Sequence, residues 1–212
     1  MTAMDALNTA LQAAPIVPVL TIENPADVAP LAKALSQGGI TTAEITLRTP
    51  AALEVIAEFK RASDQLLVGA GTVLTETDMN NALEAGAEFI VSPGLTDRLA
   101  SALLETGTLA IPGVATPSEA MQRYEDGFKI LKLFPAGAIN GYALLKALAA
   151  PLPHLQFMPT GGITPENAGD YLALPNVRAI GGSWLATKTD IANQNWEMVQ
   201  ANAKAALAKV ST

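Results

Sequence analysis

The run Phe128-Lys129-Ile130-Leu131-Lys132-Leu133-Phe134-Pro135 is apolar, carries two lysines and stops at a proline. Its length and composition predict a buried strand. Side chains alternate along a strand, so Phe128, Ile130, Lys132 and Phe134 share one face, and Lys129, Leu131 and Leu133 the other. Lys129 stands at the start, where its stem can reach back to water. Lys132 stands late, between apolar neighbours. Burial there strips hydration from an ammonium and favours the free amine, which attacks carbonyl carbons. On its own the strand leaves two readings open: a lysine paired with a carboxylate for structural reasons, and a nucleophile.

A second strand signal, Ala43-Glu44-Ile45-Thr46-Leu47-Arg48, puts Ile45 and Leu47 on one face and Glu44, Thr46 and Arg48 on the other. A charge on an inward face is costly unless paired, and a structural Glu44–Arg48 pair would satisfy both groups. Other strand ends bring further polar groups: Thr72 after Gly69-Ala70-Gly71, and Thr160 before Gly161-Gly162. An amine, a carboxylate, a guanidinium and two hydroxyls converging on one mouth have the make-up of a reaction site. The glycine pairs Gly161-Gly162 and Gly181-Gly182, the second followed by Ser183, allow backbone N–H groups to approach an anion. Pro93, Pro112 and Pro135 read as strand terminators, and Phe134 either walls the site or packs in the core. These groups suit one chemistry. The amine forms an iminium with a keto group, the carboxylate moves protons, the arginine holds a substrate carboxylate and the glycine loops hold a phosphate. That describes aldol cleavage of a phosphorylated 2-keto acid.

Such groups can converge only if the chain builds a common mouth. Helix signals cover Met1–Ala14, Asn24–Gln37, Pro50–Arg61, Glu76–Glu84, Leu95–Glu105, Pro117–Asp126, Tyr142–Ala149, Pro165–Leu174 and Asn195–Lys209. Strand signals cover Ile16–Ile22, Thr42–Leu47, Leu66–Val73, Glu88–Ser92, Thr108–Ile111, Phe128–Pro135, Leu155–Met158 and Val177–Ile180. Strict alternation predicts a parallel sheet, and eight strands predict an α/β fold of the (β/α)8 TIM-barrel type with an additional N-terminal helix. An open doubly wound sheet would want a glycine-rich turn after the first strand, where this chain has Glu23-Asn24-Pro25. With no linker or low-complexity segment, residues 1–212 are expected to form one domain.

Composition narrows the partners. The chain has 13 Lys+Arg against 20 Asp+Glu, a net charge of −7, which disfavours a nucleic-acid partner. It has no cysteine and one histidine, His154 in a Pro-rich loop, so a transition-metal site is not expected and no cofactor is called for. Charge, Pro or Gly interrupts every long apolar stretch, and Met1–Pro15 lacks the basic start of a secretory signal. The expectation is a cytoplasmic protein without a membrane partner.

As a set and in this order, Glu44-Ile45-Thr46-Leu47-Arg48-Thr49, Gly69-Ala70-Gly71-Thr72-Val73, Ser92-Pro93-Gly94, Lys132-Leu133-Phe134-Pro135-Ala136, Pro159-Thr160-Gly161-Gly162-Ile163 and Gly181-Gly182-Ser183-Trp184 resemble the class I 2-keto-3-deoxy-6-phosphogluconate (KDPG)/4-hydroxy-2-oxoglutarate (KHG) aldolase family. The resemblance covers nearly the whole chain. It implies cleavage of KDPG to pyruvate and glyceraldehyde 3-phosphate in the Entner–Doudoroff route, with 4-hydroxy-2-oxoglutarate as a second substrate, by a metal-free homotrimer of (β/α)8 barrels. It implies Lys132 as the Schiff-base lysine and Glu44 as the general acid/base acting through a water. Arg48 and Thr72 would bind the pyruvate carboxylate. Pro93, Phe134 and Thr160 would wall the pyruvate pocket, and Gly161, Gly162, Gly182 and Ser183 would hold the phosphate. One position departs: many members carry glutamate after Phe-Pro-Ala, where this chain has Gly137. A sister group acting on the galactonate-derived epimer has asparagine in place of Arg48, so Arg48 favours the gluconate type. The competing readings are an isomerase- or epimerase-type phosphosugar barrel, which would use paired acids or a histidine-rich metal site, and a non-catalytic phosphosugar-binding barrel with a structural lysine.

Overall fold

The computed structural model describes residues 2–210; Met1, at the start of the expected first helix, lies outside them, as do Ser211 and Thr212. Helix α1 (Ala3–Ala13) begins at Thr2, whose hydroxyl accepts from the Asp5 N–H while the Asp5 carboxylate accepts from the Thr2 N–H. Then follow β1 (Ile16–Leu20), a 3₁₀ turn (Pro25–Asp27) capped by Asn24, α2 (Val28–Gln37), β2 (Thr42–Thr46), α3 (Ala52–Ala62), β3 (Leu67–Gly71), α4 (Glu76–Glu84), β4 (Phe89–Val91) and α5 (Asp97–Glu105). The second half continues with β5 (Ala110–Ile111), β6 (Gly113–Val114), α6 (Pro117–Glu125), β7 (Ile130–Leu133), α7 (Gly141–Leu148), β8 (Gln156–Pro159), α8 (Ala168–Leu172), β9 (Ile180–Gly182), α9 (Lys188–Ala192) and α10 (Trp196–Val210).

All strand pairs are parallel, in two ladders ordered β5-β4-β3-β2-β1-β9 and β6-β7-β8. Two joints connect them. A bridge between Thr160 and Gly181 brings β8 to β9. Across the ring, β5 and β6 are one strand interrupted at Pro112: Ile111 pairs with Val91, Gly113 pairs with Lys132, and the Pro112 carbonyl accepts from the Lys132 N–H at 2.8 Å. Pro112 therefore interrupts the fifth strand instead of ending it, because a proline contributes an acceptor but no donor to the ladder. Counted this way there are eight barrel strands among the described residues.

Several boundaries differ from the sequence expectation. The lysine strand is shorter, and Phe128, Lys129, Phe134 and Pro135 fall outside it. The last strand begins at Ile180 and takes in Gly181 and Gly182, while Val177 makes only an isolated bridge to Phe157. Strand β2 ends at Thr46, so Arg48 is a loop residue and exposed instead of facing the barrel interior. Lys129 is exposed, with its ammonium 5.0 Å from the centre of the Tyr124 ring, and the expectation that it faces outward holds.

The alternation along each strand divides the apolar residues between two cores. Ile45, Val68, Leu131 and Phe157 point outward and pack with helix residues such as Leu31, Val55, Phe59 and Leu145. Val17, Phe89, Val91, Ile111, Ile130, Met158 and Ala179 point inward, together with Leu7 and Leu11 of α1. Helix α1 sits under the N-terminal ends of the strands. Its Ala10 carbonyl accepts from Thr41 just before β2, and its Asn8 carbonyl accepts from Arg178 just before β9. The barrel thus has a largely apolar, stoppered floor, and the polar residues Glu44, Thr46, Lys132 and Thr160 lie toward the top, with Thr42 below them at the start of β2.

Helices α4, α6 and α9, which follow β3, β6 and β9, each start with a capping box: Thr75/Asp78, Thr116/Glu119 and Thr187/Asp190. These boxes brace the loops leaving the barrel top. The Glu119 carboxyl is held below the ordinary glutamate range, first by the Ala115 N–H that donates to it at 2.7 Å. A lowered folded value means stability that is fully present above the unfolded glutamate value of about 4.3 and is lost as pH falls through the folded one. Glu119→Gln is expected to remove that part of the acid dependence and about 1 kcal/mol or less at neutral pH, read as urea midpoints between pH 3 and 7.

Candidate active site

Lys132 on β7 and Glu44 on β2 meet inside the barrel. The lysine Nζ stands 3.1 Å from Glu44 Oε1 across 88 residues of sequence, with side-chain exposures of 5% and 1%. The carboxylate accordingly pairs with Lys132 and not with Arg48. Glu44 Oε2 is buried and has no protein partner, so the site holds a carboxylate with an acceptor to spare. The lysine ammonium also lies 5.5 Å from the centre of the Phe134 ring.

Glycine on β3 makes this meeting possible. Gly71 pairs in register with Thr46, two residue pairs above the Gly69–Glu44 pair. A Cβ built on Gly71 would overlap Glu44 Oε1 and stand 2.6 Å from its Cγ. The glutamate therefore lies over the bare backbone of β3. Gly181 does the same for Thr160, whose hydroxyl occupies the space that a side chain on β9 would fill.

Above this pair the ring opens. Arg48 leaves the top of β2 and its Nε donates to Thr72 Oγ1 at 3.1 Å. Thr72 follows β3 with φ of 61°, a left-handed conformation that is strained for a β-branched residue. The strain sets its hydroxyl beside Arg48. A cleft of about 250 Å³ is lined by Val19, Thr21, Arg48, Phe134, Thr160–Ile163 and Gly181–Ser183. Gly161 and Gly162 have φ of 88° and 79°, which glycine adopts without cost. The other flank of Phe134 lines an adjoining cleft with Pro93, Gly113–Ala115 and Arg123. Phe134 is thus a partition between the Thr160 side and the Pro93 side of the mouth.

The structure gathers the residues singled out in the sequence at one barrel end. Lys132, Glu44 and Thr160 are buried, while Arg48, Gly162 and Ser183 are exposed at the rim. Pro93 lies across Phe134 from the others. Gly137 has a clear position: its N–H donates to the Gly161 carbonyl at 2.7 Å, and a Cβ on it would lie 3.1 Å from Gly162 Cα. Sequence reasoning missed Thr21 and Val19 as cleft residues. Alternation along Ile16–Ile22 offered the signal, because Val17, Val19 and Thr21 share a face. His154 is exposed and stacks near Tyr124, away from the site residues. Among the described residues no group of His, Cys, Asp and Glu could hold a metal ion, and no helix is long and apolar enough to cross a membrane.

Comparison with known proteins agrees with this geometry. Residues 7–202 match the family model for KDPG and KHG aldolase. The chain is 42% identical over 201 residues to the 2-dehydro-3-deoxy-phosphogluconate aldolase of Pseudomonas aeruginosa, covering 95% of this chain and 91% of that one. It is 45% identical over 175 residues to the KHG/KDPG aldolase of Escherichia coli, covering 82% of each. Among solved structures, KDPG aldolase from Legionella pneumophila, with pyruvate captured as a covalent carbinolamine intermediate, superposes with a TM-score of 0.91 at 40% identity over 94% of this chain and 97% of that one. The Zymomonas mobilis enzyme with 3-phosphoglycerate gives 0.88 at 42% identity, over 98% and 97%. The chain belongs to the KDPG and KHG aldolase family and is built as a (β/α)8 barrel.

Proposed function

We propose that the protein is a class I aldolase that cleaves 2-dehydro-3-deoxy-6-phosphogluconate to pyruvate and D-glyceraldehyde 3-phosphate through a Schiff base on Lys132. The observation that carries the assignment of the lysine is its burial against Glu44 at 3.1 Å, beneath a cleft walled by glycine backbone. The Lys132 amine adds to the C2 carbonyl, and the carbinolamine loses water to give an iminium. Glu44, in contact with the amine and with its second oxygen unpartnered, relays the protons this exchange requires, through a water where it does not reach the substrate directly. It then takes the proton from the C4 hydroxyl. The C3–C4 bond breaks, its electron pair passes to the iminium, and the aldehyde leaves. The enamine that remains is protonated at C3 and hydrolysed to pyruvate, which regenerates the lysine.

Arg48 and Thr72 are assigned to the substrate carboxylate, since their mutual hydrogen bond presents a guanidinium and a hydroxyl together. Thr160, Phe134 and Pro93 wall the keto-acid end. Gly161, Gly162, Gly182 and Ser183 are assigned to the phosphate. 4-Hydroxy-2-oxoglutarate, which shares the keto-acid half, is a second substrate. The reading places the protein in the cytoplasm, in the Entner–Doudoroff route, as a homotrimer. One 27%-identical neighbour is a protein cage designed by fusing symmetric oligomeric domains, which is in keeping with self-association of this fold. Light scattering is expected to give about three times the 21.9 kDa chain mass; a monomer would remove the trimer from the reading.

Borohydride reduction with pyruvate should leave a reduced pyruvyl adduct on Lys132, seen by mass spectrometry. No adduct, or full cleavage by Lys132→Ala, contradicts the assignment and returns the barrel to a non-catalytic binder. Glu44→Gln is expected to turn over slowly, with adduct formation impaired and pyruvate binding retained; wild-type rates would take Glu44 out of the mechanism. Gly71→Ala should displace the Glu44 carboxylate. A fall in kcat of about 100-fold or more is expected, with the circular dichroism of the native fold preserved.

A further inference from the structure

The mechanism leaves one polar side chain of the cleft without a task. Thr21 lies past the end of β1 and lines the cleft formed by the two glycine pairs. Its hydroxyl oxygen stands 2.9 Å from that of Thr46, and the Thr46 hydroxyl in turn stands 2.9 Å from the Leu20 carbonyl oxygen. These distances settle the direction of the bonds. Thr46 has one hydroxyl hydrogen, and a carbonyl can only accept. Both contacts become hydrogen bonds only if Thr46 donates to Leu20 and Thr21 donates to Thr46. The reverse arrangement makes one bond instead of two in a partly buried site, and forgoing a bond there costs free energy. The Thr21 hydrogen is thus committed to the wall, and what it presents to the cleft is lone pairs.

We propose that Thr21 is a specificity-determining residue that accepts a hydrogen bond from the substrate hydroxyl next to the phosphate-bearing carbon. The inference rests on the aldolase reading of the same site. An acceptor turned toward a cleft suits a hydroxyl donor and does not suit a phosphate or a carboxylate, both of which offer acceptors at neutral pH. Position selects which hydroxyl. The cleft that holds Thr21 runs from Arg48, Phe134 and Thr160, assigned to the keto-acid end, to Gly161, Gly162, Gly182 and Ser183, assigned to the phosphate, and neither Lys132 nor Glu44 lines it. Strand β1 pairs with β9 at Pro18–Gly182, which carries Thr21 up along the Gly182-Ser183 edge, the side of the cleft given to the half of the substrate remote from the keto group. In KDPG that half carries the C5 hydroxyl and the phosphate, and in 4-hydroxy-2-oxoglutarate it carries no C5 hydroxyl. Thr21 therefore reads a feature that separates the two substrates, while the Lys132 end reads what they share.

The test is a cycle of variant against substrate. Wild type, Thr21→Val and Thr21→Ser are assayed with KDPG and with its 5-deoxy analogue, and the ratio of kcat/KM for the pair is compared. The ratio does not depend on the fraction of enzyme that is folded. One hydrogen bond predicts a preference of about tenfold for the hydroxylated substrate in wild type, collapse toward one in Thr21→Val and recovery in Thr21→Ser. A preference that survives in Thr21→Val, or is missing in wild type, overturns the proposal. Borohydride trapping with pyruvate is run on each form. A wild type that forms the Lys132 adduct and yet shows no Thr21-dependent preference removes only the role of Thr21. A wild type that forms no adduct removes the aldolase reading and this inference with it.

Discussion

An ion pair buried inside a barrel is the constraint to which the upper half of this structure answers. Lys132 and Glu44 are both nearly out of reach of water, and each charge would be costly there alone. Removing one partner of such a pair typically costs about 3–5 kcal/mol, because the other is left buried and uncompensated. The two residues belong to strands on different arcs of the ring, so they meet only if the ring closes. The Thr160–Gly181 bridge and the resumed strand after Pro112 are the closing joints. Bare backbone at Gly71 then gives the carboxylate room to lie toward the lysine. Closure, glycine placement and ion pair form one arrangement, and each has little purpose without the others.

The sequence carried much of this, for a reason that can be stated. Alternation in a strand has period two, so one buried face fixes the facing of every residue in it. That was enough to turn Glu44, Thr46 and Lys132 inward and Ile45, Leu131 and Leu133 outward, as found. The same rule failed for Arg48, because it was extended past Thr46, where the strand stops and the chain turns out to the rim. Ends of strands are set by tertiary pairing, and a six-residue window does not contain the partner. Pro112 shows this from the other direction. A proline read locally is a terminator, but here the strand changes partners at it, from β4 below to β7 above.

What stayed hidden were relations between residues far apart in the chain. The pairing of Glu44 with Lys132 instead of Arg48 depends on which arcs of the ring face one another. The role of Gly71 depends on a side chain 27 positions earlier lying across it, and sequence alone presents it as one more turn-forming glycine. The motif set pointed to the family, and the family supplied the expected roles. The geometry supplies the reason those residues occupy those places.

The helix that stoppers the barrel floor carries a last implication. Leu7 and Leu11 close the N-terminal end against an apolar interior, and Lys132 and Glu44 lie above that seal and below the glycine-walled cleft. Among the described residues this lower end is closed, so on the aldolase reading substrate comes and goes at the top of the barrel. With Lys132 as the Schiff-base lysine, a fragment held on it cannot leave past another that still fills the outer end. The traffic is first in, last out: the aldehyde must vacate the passage before pyruvate can be freed, and in the direction of synthesis pyruvate must be seated before the aldehyde enters.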